Sequence, residues 1–374
     1  MKFVVSSEQL LERLQSISRV INSKNSLPIL NYFLFSIKNS TLTLKASDLE
    51  TTLITSMPLE KSTEDGEIAI LAKNILDILR EFSEQPLNFD VDLQSYAIVI
   101  TTEKGKFSFI GQSAEEYPTL HELSEETASF SAKGSTLLDG ISGTLFATAD
   151  DELRPVMNGV CFDITTDNLT IVGTDAHKLA RFKTSEVKGQ QDAVFVLPKK
   201  PASLLKNILP KEAGEVQVAF DSKNIVFTLS QYTMVCRQIE ARYPNYNAVI
   251  PKDNPNKLIV DRLALLAGLR RVAVCTNQGS SLIKFAVSES DVYISGQDID
   301  FSNSGEEHIA CQYQGEPMEI GFKANFVIEV LSNMNASDIT IELADRTRPG
   351  VFVPLEKEEN QDVLMLLMPM MLNE

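Results

Sequence analysis

Three stretches of this sequence share one pattern, a short strand-like run followed at once by a lysine: IAILA at 68–72 before Lys73, VFVLP at 194–198 before Lys199, and MEIGF at 318–322 before Lys323. The lysines are 126 and 124 residues apart, and Tyr117-Pro118 returns as Tyr243-Pro244 after 126 residues. Self-similarity at a fixed period indicates one structural unit repeated in tandem. This period has the size of a domain, so the sequence predicts three similar domains, at 1–125, 126–250 and 251–374.

Each unit is expected to open with an amphipathic helix. In the first unit Leu10, Leu14 and Ile17 recur at helical spacing, and Ser6 with Gln9 three residues later has the pattern of a capping box. Short strands bounded by turn residues follow, then a second helix and more strands. Further helices are predicted near 74–82, 135–147, 201–209, 261–275 and 324–333. Two helices packed on antiparallel sheets in each domain give an α+β fold.

Composition narrows the function classes. With 34 Lys and Arg against 51 Asp and Glu, the net charge is −17, which argues against a protein that coats nucleic acid with its outer surface. Four widely spaced cysteines fit free thiols in a reducing compartment and no metal site. The chain shows no secretory signal and no apolar run long enough to cross a membrane. We therefore expect a cytoplasmic protein without membrane contact, metal or cofactor.

Basic residues recur on the predicted helices. Lys73 and Arg80 are seven residues apart, as are Lys199 and Lys206, so each pair lies on one helical stripe. Such lysines are common on solvated helix faces, which is the first interpretation. The second is that their repeated register concentrates positive charge on one surface that meets phosphates without reading bases.

Catalytic motifs are absent from the sequence, and two local features stay open. Asp175 and His177 would share one face of a strand and could act as a general base and its orienting carboxylate, but no nucleophile accompanies them. The apolar C-terminus at 364–372 has two interpretations. A last strand explains 364–367, whereas Pro369 removes a donor from a strand ladder, and the Met-rich 368–372 also suits the edge of a peptide groove.

Several motifs together resemble the bacterial DNA polymerase III beta subunit family of sliding clamps, and the likeness extends over the whole chain. They are the three-unit plan, LPIL at 27–30, TDAHKLA at 174–180, Tyr243-Pro244 and the Met-Pro-Met ending at 368–370. The resemblance implies that two chains join head to tail into a ring around double-stranded DNA. Such a ring slides without sequence specificity, catalyses no reaction and acts as a processivity factor in DNA replication.

The resemblance also implies partners and site residues. The replicative polymerase, the clamp loader and repair and translesion polymerases would insert short linear motifs into a pocket between the second and third domains. The pocket residues carried over are Arg154, Met157, Thr174, His177, Lys178, Leu179, Pro244, Val249, Phe326, Leu366, Met368, Pro369, Met370 and Leu372. The DNA-binding residues are Lys24, Lys73, Asp151, Pro155, Val156 and Lys199. The homodimer interface would use Lys104, Lys106, Phe107 and Phe109 of one chain and Val274, Cys275, Glu306 and Glu307 of the other.

The sequence departs from the family pattern at three places. Ala176 stands where a glycine is usual, Met371 stands where a basic residue is common, and Asn373 and Glu374 extend beyond the usual last apolar residue. The acidic Asp151 and Glu152 are unexpected in a turn that meets DNA. Two rival functions remain: an enzyme that uses Asp175 and His177, and a peptide-binding scaffold that does not bind DNA.

Overall fold

The computed structural model describes residues 1–372, and its first domain is built from nine strands and two helices. They are β1 Lys2–Ser6, α1 Ser7–Ser18, β2 Tyr32–Lys38, β3 Thr41–Ser47, β4 Thr51–Pro58, β5 Lys61–Ser62, β6 Gly66–Leu71, α2 Ala72–Arg80, β7 Pro86–Val91, β8 Ala97–Thr101 and β9 Lys106–Ile110. The predicted cap of α1 is confirmed, since the Ser6 side chain accepts a hydrogen bond from the Gln9 N–H. Leu10, Leu14 and Ile17 are fully buried.

The second and third domains repeat this order without a counterpart of β5. The second contains β10 Ala128–Lys133, α3 Gly134–Leu145, β11 Gly159–Ile164, β12 Leu169–Thr174, β13 Lys178–Thr184, β14 Ala193–Pro198, α4 Lys199–Ile208, β15 Glu215–Phe220, β16 Asn224–Thr228 and β17 Tyr232–Arg237. The third contains β18 Asn256–Asp261, α5 Arg262–Ala273, β19 Leu282–Val287, β20 Asp291–Asp298, β21 Asn303–Gln314, β22 Met318–Lys323, α6 Ala324–Asn333, β23 Asp338–Leu343, β24 Gly350–Pro354 and β25 Gln361–Leu367. The α+β fold with two helices in each domain is confirmed.

The prediction that each unit opens with a helix was wrong, because a strand precedes the first helix of every domain. In β1 the side chains of Phe3 and Val5 are buried while that of Lys2 is exposed, which is the alternation of a strand with one solvated face. β1 has five residues, so this alternation is too short to stand out in the sequence. The last predicted strand is confirmed as β25, where Leu364 to Leu367 are all buried.

The strands form sheets of 5, 8 and 12 members. Their orders are β5-β1-β7-β8-β9, then β10-β15-β16-β17-β4-β3-β2-β6, then β14-β11-β12-β13-β25-β24-β23-β18-β21-β20-β19-β22. Two antiparallel pairs therefore join neighbouring domains. β17 pairs with β4, with Val235 opposite Thr52, and β25 pairs with β13, with Leu366 opposite Leu179.

The chain divides into two compact units, one of residues 1–134 and 207–238 and the other of residues 135–206 and 239–374. Each unit contains one of the two domain-joining strand pairs. In the second unit, Phe285, Phe322 and Phe352 are buried in one apolar core. No helix of the described residues is long and apolar enough to cross a membrane.

Candidate peptide-binding site

The C-terminal tail after β25 is held at two points. The Met368 N–H donates to the His177 carbonyl oxygen at 2.9 Å, and the Met370 N–H donates to the Gly321 carbonyl oxygen at 2.8 Å. Residue 321 has to be glycine, because a Cβ there would lie 2.7 Å from the Met370 carbonyl oxygen and 2.9 Å from the Leu372 side chain. The predicted residues of the tail are thus placed beside the turn that contains His177.

An apolar cluster lies on the face of β13 and β25 that carries Leu179 and Leu366. These two residues are register partners and are 2% and 3% exposed. The other members are Cys161, Val172, Val351, Val353 and Leu364, with Tyr243, Tyr246 and Ile250 packed against them. Leu179 and Leu366, predicted from two distant parts of the sequence, are therefore brought together.

Two tyrosines fix the segment that contains Pro244 and Val249. The Tyr243 hydroxyl donates to the Val172 carbonyl oxygen at 3.3 Å, and the Tyr246 hydroxyl donates to Asp163 Oδ2 at 2.6 Å. Burial raises the pKa of both hydroxyls far above its ordinary value, so both remain protonated donors. Pro244 is half-buried, and Val249 remains 53% exposed although its neighbour Ile250 packs against the apolar cluster.

The turn between β12 and β13 is fixed by its own side chains. Thr174 Oγ1 accepts the Ala176 N–H at 3.2 Å and donates to the Lys178 carbonyl oxygen at 2.8 Å. Asp175 Oδ1 accepts the N–H groups of His177 and Lys178, both at 2.8 Å. Ala176 has φ +75°, a left-handed conformation that favours glycine. Ala176, which replaces the glycine usual in the family, therefore adopts a backbone conformation that is unfavourable for a residue with a Cβ atom.

The expectation that Asp175 and His177 share one face of a strand was wrong. Both lie in the turn, where the Asp175 carboxylate accepts main-chain N–H groups and does not orient an imidazole. The His177 ring stacks on Phe326 instead, with centroids 6.3 Å apart. The two side chains therefore lack the geometry of a base and its orienting carboxylate.

Lys178 is a buried charge at the centre of these residues, with its side chain 7% exposed. Its Nζ atom lies 2.5 Å from Glu329 Oε2 and 3.4 Å from Asp175 Oδ2. It also lies 4.5 Å from the centre of the Phe326 ring, a cation–π contact. Two carboxylates compensate this ammonium, as burial of a charge requires.

Lys323 was missed as a residue of this site. In the sequence it stands out only as the third of the repeated lysines that follow a strand-like run. In the structure its Nζ atom lies 5.0 Å from the centre of the Phe326 ring, the ring that Lys178 also contacts. The signal was present, because Phe326 follows Lys323 by three residues, the spacing of one helical turn.

Arg154 and Met157 belong to the 3₁₀ turn Pro155–Asn158 and the residue before it. Arg154 Nε donates to Asp151 Oδ2 at 2.8 Å, and this bond holds the pKa of Asp151 below its usual range. The Met157 carbonyl oxygen accepts the Ala149 N–H at 2.8 Å. The charge of Asp151, which is unexpected in a turn predicted to face DNA, is thus compensated by Arg154. The predicted residues Pro155 and Val156 follow in the same turn.

The predicted DNA-binding lysines differ in their surroundings. Lys24 and Lys73 are exposed, and neither has an ion-pair partner among residues 1–372. Lys199 is half-buried and pairs with Asp150 at 2.8 Å. Over the whole chain, the six described α-helices contain nine Lys and Arg but five Asp and Glu. The helices are therefore basic although the chain is strongly acidic.

The predicted interface residues lie on or next to β9 and β21 and just after helix α5. Phe107 and Phe109 are half-buried on β9, and the Phe107 ring packs edge-on against Phe82 at 5.3 Å. Val274 and Cys275 were predicted inside a helix, but α5 ends at Ala273, so both follow the helix. Lys104 and Lys106 are exposed.

Glu306 and Glu307 lie on β21 and already have partners within the chain. Glu306 Oε2 accepts from the Tyr293 hydroxyl at 2.6 Å. Glu307 pairs with the Arg271 guanidinium through two hydrogen bonds, which lower the pKa of its carboxyl. Any ion pair with another chain would have to form beside these contacts.

Nothing in residues 1–372 groups three His, Cys, Asp or Glu side chains closely enough to hold a metal ion. Asn373 and Glu374, the predicted extension, lie outside the described residues.

Family models of the DNA polymerase III beta subunit match the chain in three consecutive pieces. The N-terminal domain model matches residues 1–121, the central domain model residues 132–245 and the C-terminal domain model residues 247–371. The beta sliding clamp of Synechococcus elongatus is 31% identical over 368 residues, covering 95% of this chain and 96% of its own. The beta sliding clamp of Escherichia coli is 27% identical over 373 residues, covering both chains completely.

Solved structures give the same result. A sliding clamp (DNA polymerase III subunit beta) from Pseudomonas aeruginosa, bound to griselimycin, matches with a TM-score of 0.94 at 25% identity over both full lengths. The DNA polymerase sliding clamp of Bacillus subtilis matches over both full lengths with a TM-score of 0.92 at 22% identity, which shows the shared fold.

Proposed function

Since the chain belongs to the DNA polymerase III beta subunit family, whose members are sliding clamps, we propose that two copies of it close head to tail into a ring around duplex DNA. It is a processivity factor and not an enzyme. A ring holds its substrate by topology, so contacts with DNA need only be weak and independent of sequence. This fits a cytoplasmic protein of net charge −17 whose described α-helices carry more Lys and Arg than Asp and Glu.

The observation that best supports a ring is a strand pair that occurs twice. The last strand of the second domain pairs with β4 of the first domain, and the last strand of the third domain pairs with β13 of the second. In the first domain, β9 corresponds to β17 and β25 as the last strand of its domain. In the third domain, β21 corresponds to β4 and β13, the strands that accept these partners. Within residues 1–372, β9 has a partner on one edge, and residues 303–310 of β21 pair with β20 alone.

A second copy would supply both missing partners, β21 for β9 and β9 for β21. A head-to-tail contact that closes after two chains avoids open filaments, and pairing the edges also protects them from aggregation. In this arrangement Phe107 and Phe109 of one chain would meet Val274 and Cys275 of the other. Lys104 and Lys106 would approach Glu306 and Glu307 beside the in-chain bonds of these carboxylates.

For the DNA contact we assign the larger share to Lys24 and Lys73. Both ammonium groups are exposed and free of ion pairs within residues 1–372, so they can replace counterions on phosphates. Lys199 would contribute less because Asp150 already neutralises it. In the turn with Asp151, Pro155 and Val156, Arg154 compensates Asp151 but the exposed Glu152 leaves a net negative charge, so we expect this turn to add no attraction for DNA.

For partner proteins we propose the site around the C-terminal tail as the pocket for short linear motifs. Beside the buried Leu179 and Leu366, the exposed Val249, the Met368–Leu372 tail and the half-buried Phe326 ring offer apolar anchors, and a few such anchors dominate binding at peptide sites. The polymerase, the clamp loader and repair polymerases would compete for this pocket. Methionines suit partners of different sequence, because their side chains repack easily.

The test is retention of the loaded ring on DNA. The purified protein is loaded by its clamp loader onto nicked circular DNA, and bound protein is measured before and after the circle is linearised at moderate salt. Retention on circles with loss from free ends is expected, since a ring slides off an open end. Equal retention on both forms would indicate ordinary surface binding and would contradict encirclement.

The two rival functions make different predictions. An enzyme would lose turnover on His177→Ala, whereas a clamp would lose peptide affinity. A scaffold that does not bind DNA would be indifferent to combined substitution of Lys24, Lys73 and Lys199 by Gln. A clamp with these substitutions should load poorly while its peptide affinity stays unchanged.

A further inference from the structure

The hairpin tip between β20 and β21 presents two apolar side chains to solvent. Ile299 is 80% exposed and Phe301 is 76% exposed. The tip is held in a defined conformation by buried Asp298, whose Oδ1 accepts the N–H groups of Asp300 at 3.0 Å and Phe301 at 3.4 Å. Ser302 completes the turn with φ +56°. A structured turn with two large exposed apolar residues is characteristic of a contact surface.

The equivalent turns of the other two domains show what such a tip contacts. The turn between β3 and β4 opens with Asp48, and its Glu50 carbonyl oxygen accepts the Arg237 N–H at the end of β17 at 2.9 Å. The turn between β12 and β13 opens with Asp175, and its His177 carbonyl oxygen accepts the Met368 N–H just after β25 at 2.9 Å. In both, an Asp-built turn meets the end of the last strand of the next domain.

The third turn, with Ile299 and Phe301, is the corresponding element of β20 and β21. The final strand of the first domain is β9, which ends at Ile110, and within residues 1–372 no turn of this kind meets its end. Ile110 is itself 72% exposed, so the end of β9 is apolar like the tip. Val274, 81% exposed, belongs to the same end of the third domain, since Asn277 three residues later donates to the Gln297 carbonyl oxygen.

We propose that the tip formed by Ile299 and Phe301 is an interaction surface for a second copy of this chain, where it packs on the end of β9 around Ile110. This inference rests on the proposed ring and specifies what closes it. Two apolar surfaces that are each exposed in the single chain would be removed from water together. Ring closure then depends on apolar burial, and ion pairs of Lys104 and Lys106 with Glu306 and Glu307 are secondary.

A ring closed by apolar burial and a ring closed by ion pairs respond differently to salt. Exposed ion pairs weaken as salt screens them, whereas apolar burial does not. We expect the dimer dissociation constant of the natural chain to change less than about threefold between 0.1 M and 0.5 M NaCl. A rise of tenfold or more over this range would show that charge pairs hold the seam and would overturn the proposal.

The decisive experiment is sedimentation equilibrium on the full chain and four variants. Phe301→Asp and Ile299→Asp place a charge in the seam and should raise the dissociation constant at least about 100-fold, since a buried unpaired charge is strongly unfavourable. Phe301→Leu keeps the apolar contact and should stay within about fivefold. Val194→Asp is the matched control, because Val194 is also an exposed apolar strand residue, 53% accessible, away from this tip.

Folding is checked by circular dichroism, and Phe301→Ser replaces Phe301→Asp if the charged variant is unfolded. If Phe301→Asp and Ile299→Asp dimerise as tightly as the natural chain, the tip is not the closing contact although the ring stands. If the natural chain itself is monomeric at micromolar concentration, the proposed ring fails and this inference fails with it.

Discussion

The junction between the first and second domains and the junction between the second and third have the same backbone construction and different side chains. Both consist of an antiparallel strand pair, β4 with β17 and β13 with β25. Both have a small cavity beside the first helix of a domain, of about 160 Å³ over Glu12, Gln15 and Ser16 and about 190 Å³ over Asp139, Ser142 and Gly143. The three helix positions correspond along the repeat.

The first junction is bridged by polar contacts. Glu12 pairs with Lys211 at 2.6 Å, and Arg19 donates to Asn207 at 3.3 Å. Arg13 donates to Thr55 at 3.1 Å and lies over the Tyr232 ring. The corresponding position of Glu12 in the second junction is Asp139, whose neighbours at the cavity include the acidic Glu356 and Glu358. At this helix position the first junction has an ion pair, whereas the second has carboxylates near one another with Lys357 at the same cavity. The ion pairs of the second junction lie elsewhere, between Lys178 and Glu329 and between Arg181 and Asp362.

The strand pairing is common to both junctions, whereas the proposed peptide site is found at the second one only. On the opposite face of β13 and β25, away from the cavity, lies the apolar cluster of Leu179 and Leu366 with the tail that follows. The first junction has no such tail, because the chain after β17 continues into the next domain.

The largest difference should appear on removal of the tail. Deleting residues 368–374 should weaken binding of a fluorescently labelled clamp-binding peptide from a replicative polymerase by at least about 100-fold, because the deletion removes several apolar anchors at once. Fluorescence anisotropy gives the affinity. The dimer should persist, which sedimentation checks, because the proposed seam of β9 and β21 is untouched and β25 still pairs with β13. Undiminished affinity in the truncated chain would show that the peptide binds elsewhere.

Much of this architecture could be predicted from the sequence, because the repeated lysines mark equivalent positions in all three domains and the Tyr-Pro pairs do so in the first two. The junctions themselves could not. Leu179 and Leu366 are 187 residues apart, and register between such distant strands depends on which edge is uncovered after each domain has folded. Lys323 shows the same limit: its side chain contacts Phe326 in the candidate site, although helical spacing alone fits a solvated lysine equally well.

A second pair of variants tests whether the two junction turns are equally strained. Leu49 and Ala176 occupy equivalent turns with φ +80° and +75°. A left-handed residue with a Cβ costs about 1–2 kcal/mol, partly offset by the entropy that glycine loses on folding. Leu49→Gly and Ala176→Gly should each raise the free energy of unfolding by about 0.5 kcal/mol in urea titrations. Ala248→Gly, at a position with negative φ, should lower it; a gain there would show that flexibility and not strain explains the effect.

The polar closure of the first junction should contribute less. Glu12 and Lys211 are both more than half exposed, so Glu12→Lys or Lys211→Glu should cost about 0.5 kcal/mol of unfolding free energy. The double exchange should recover most of this loss, and 1 M NaCl should abolish the difference by screening. If the double variant is as unstable as the sum of both single variants, the pair does not couple.

The smallest effect is expected from the carboxylate at the corresponding position of the second junction. Partial desolvation at the cavity, followed by the nearby Glu358 carboxylate, raises the pKa of Asp139 above its ordinary 3.8. The folded chain therefore holds this proton more tightly than the unfolded chain, and stability declines as pH rises from the unfolded pKa through the raised folded one. Asp139→Asn removes this decline, so its melting temperature should match that of the natural chain below pH 3.8 and exceed it, by less than about 2 °C, at neutral pH.

Differential scanning calorimetry across pH measures the shift, with Glu12→Gln as the matched control. The Lys211 ion pair lowers the pKa of Glu12, so this control should lose stability at neutral pH. A loss of the same sign in both variants would mean that the second junction contains an unseen partner for Asp139, and the contrast between the two junctions would disappear.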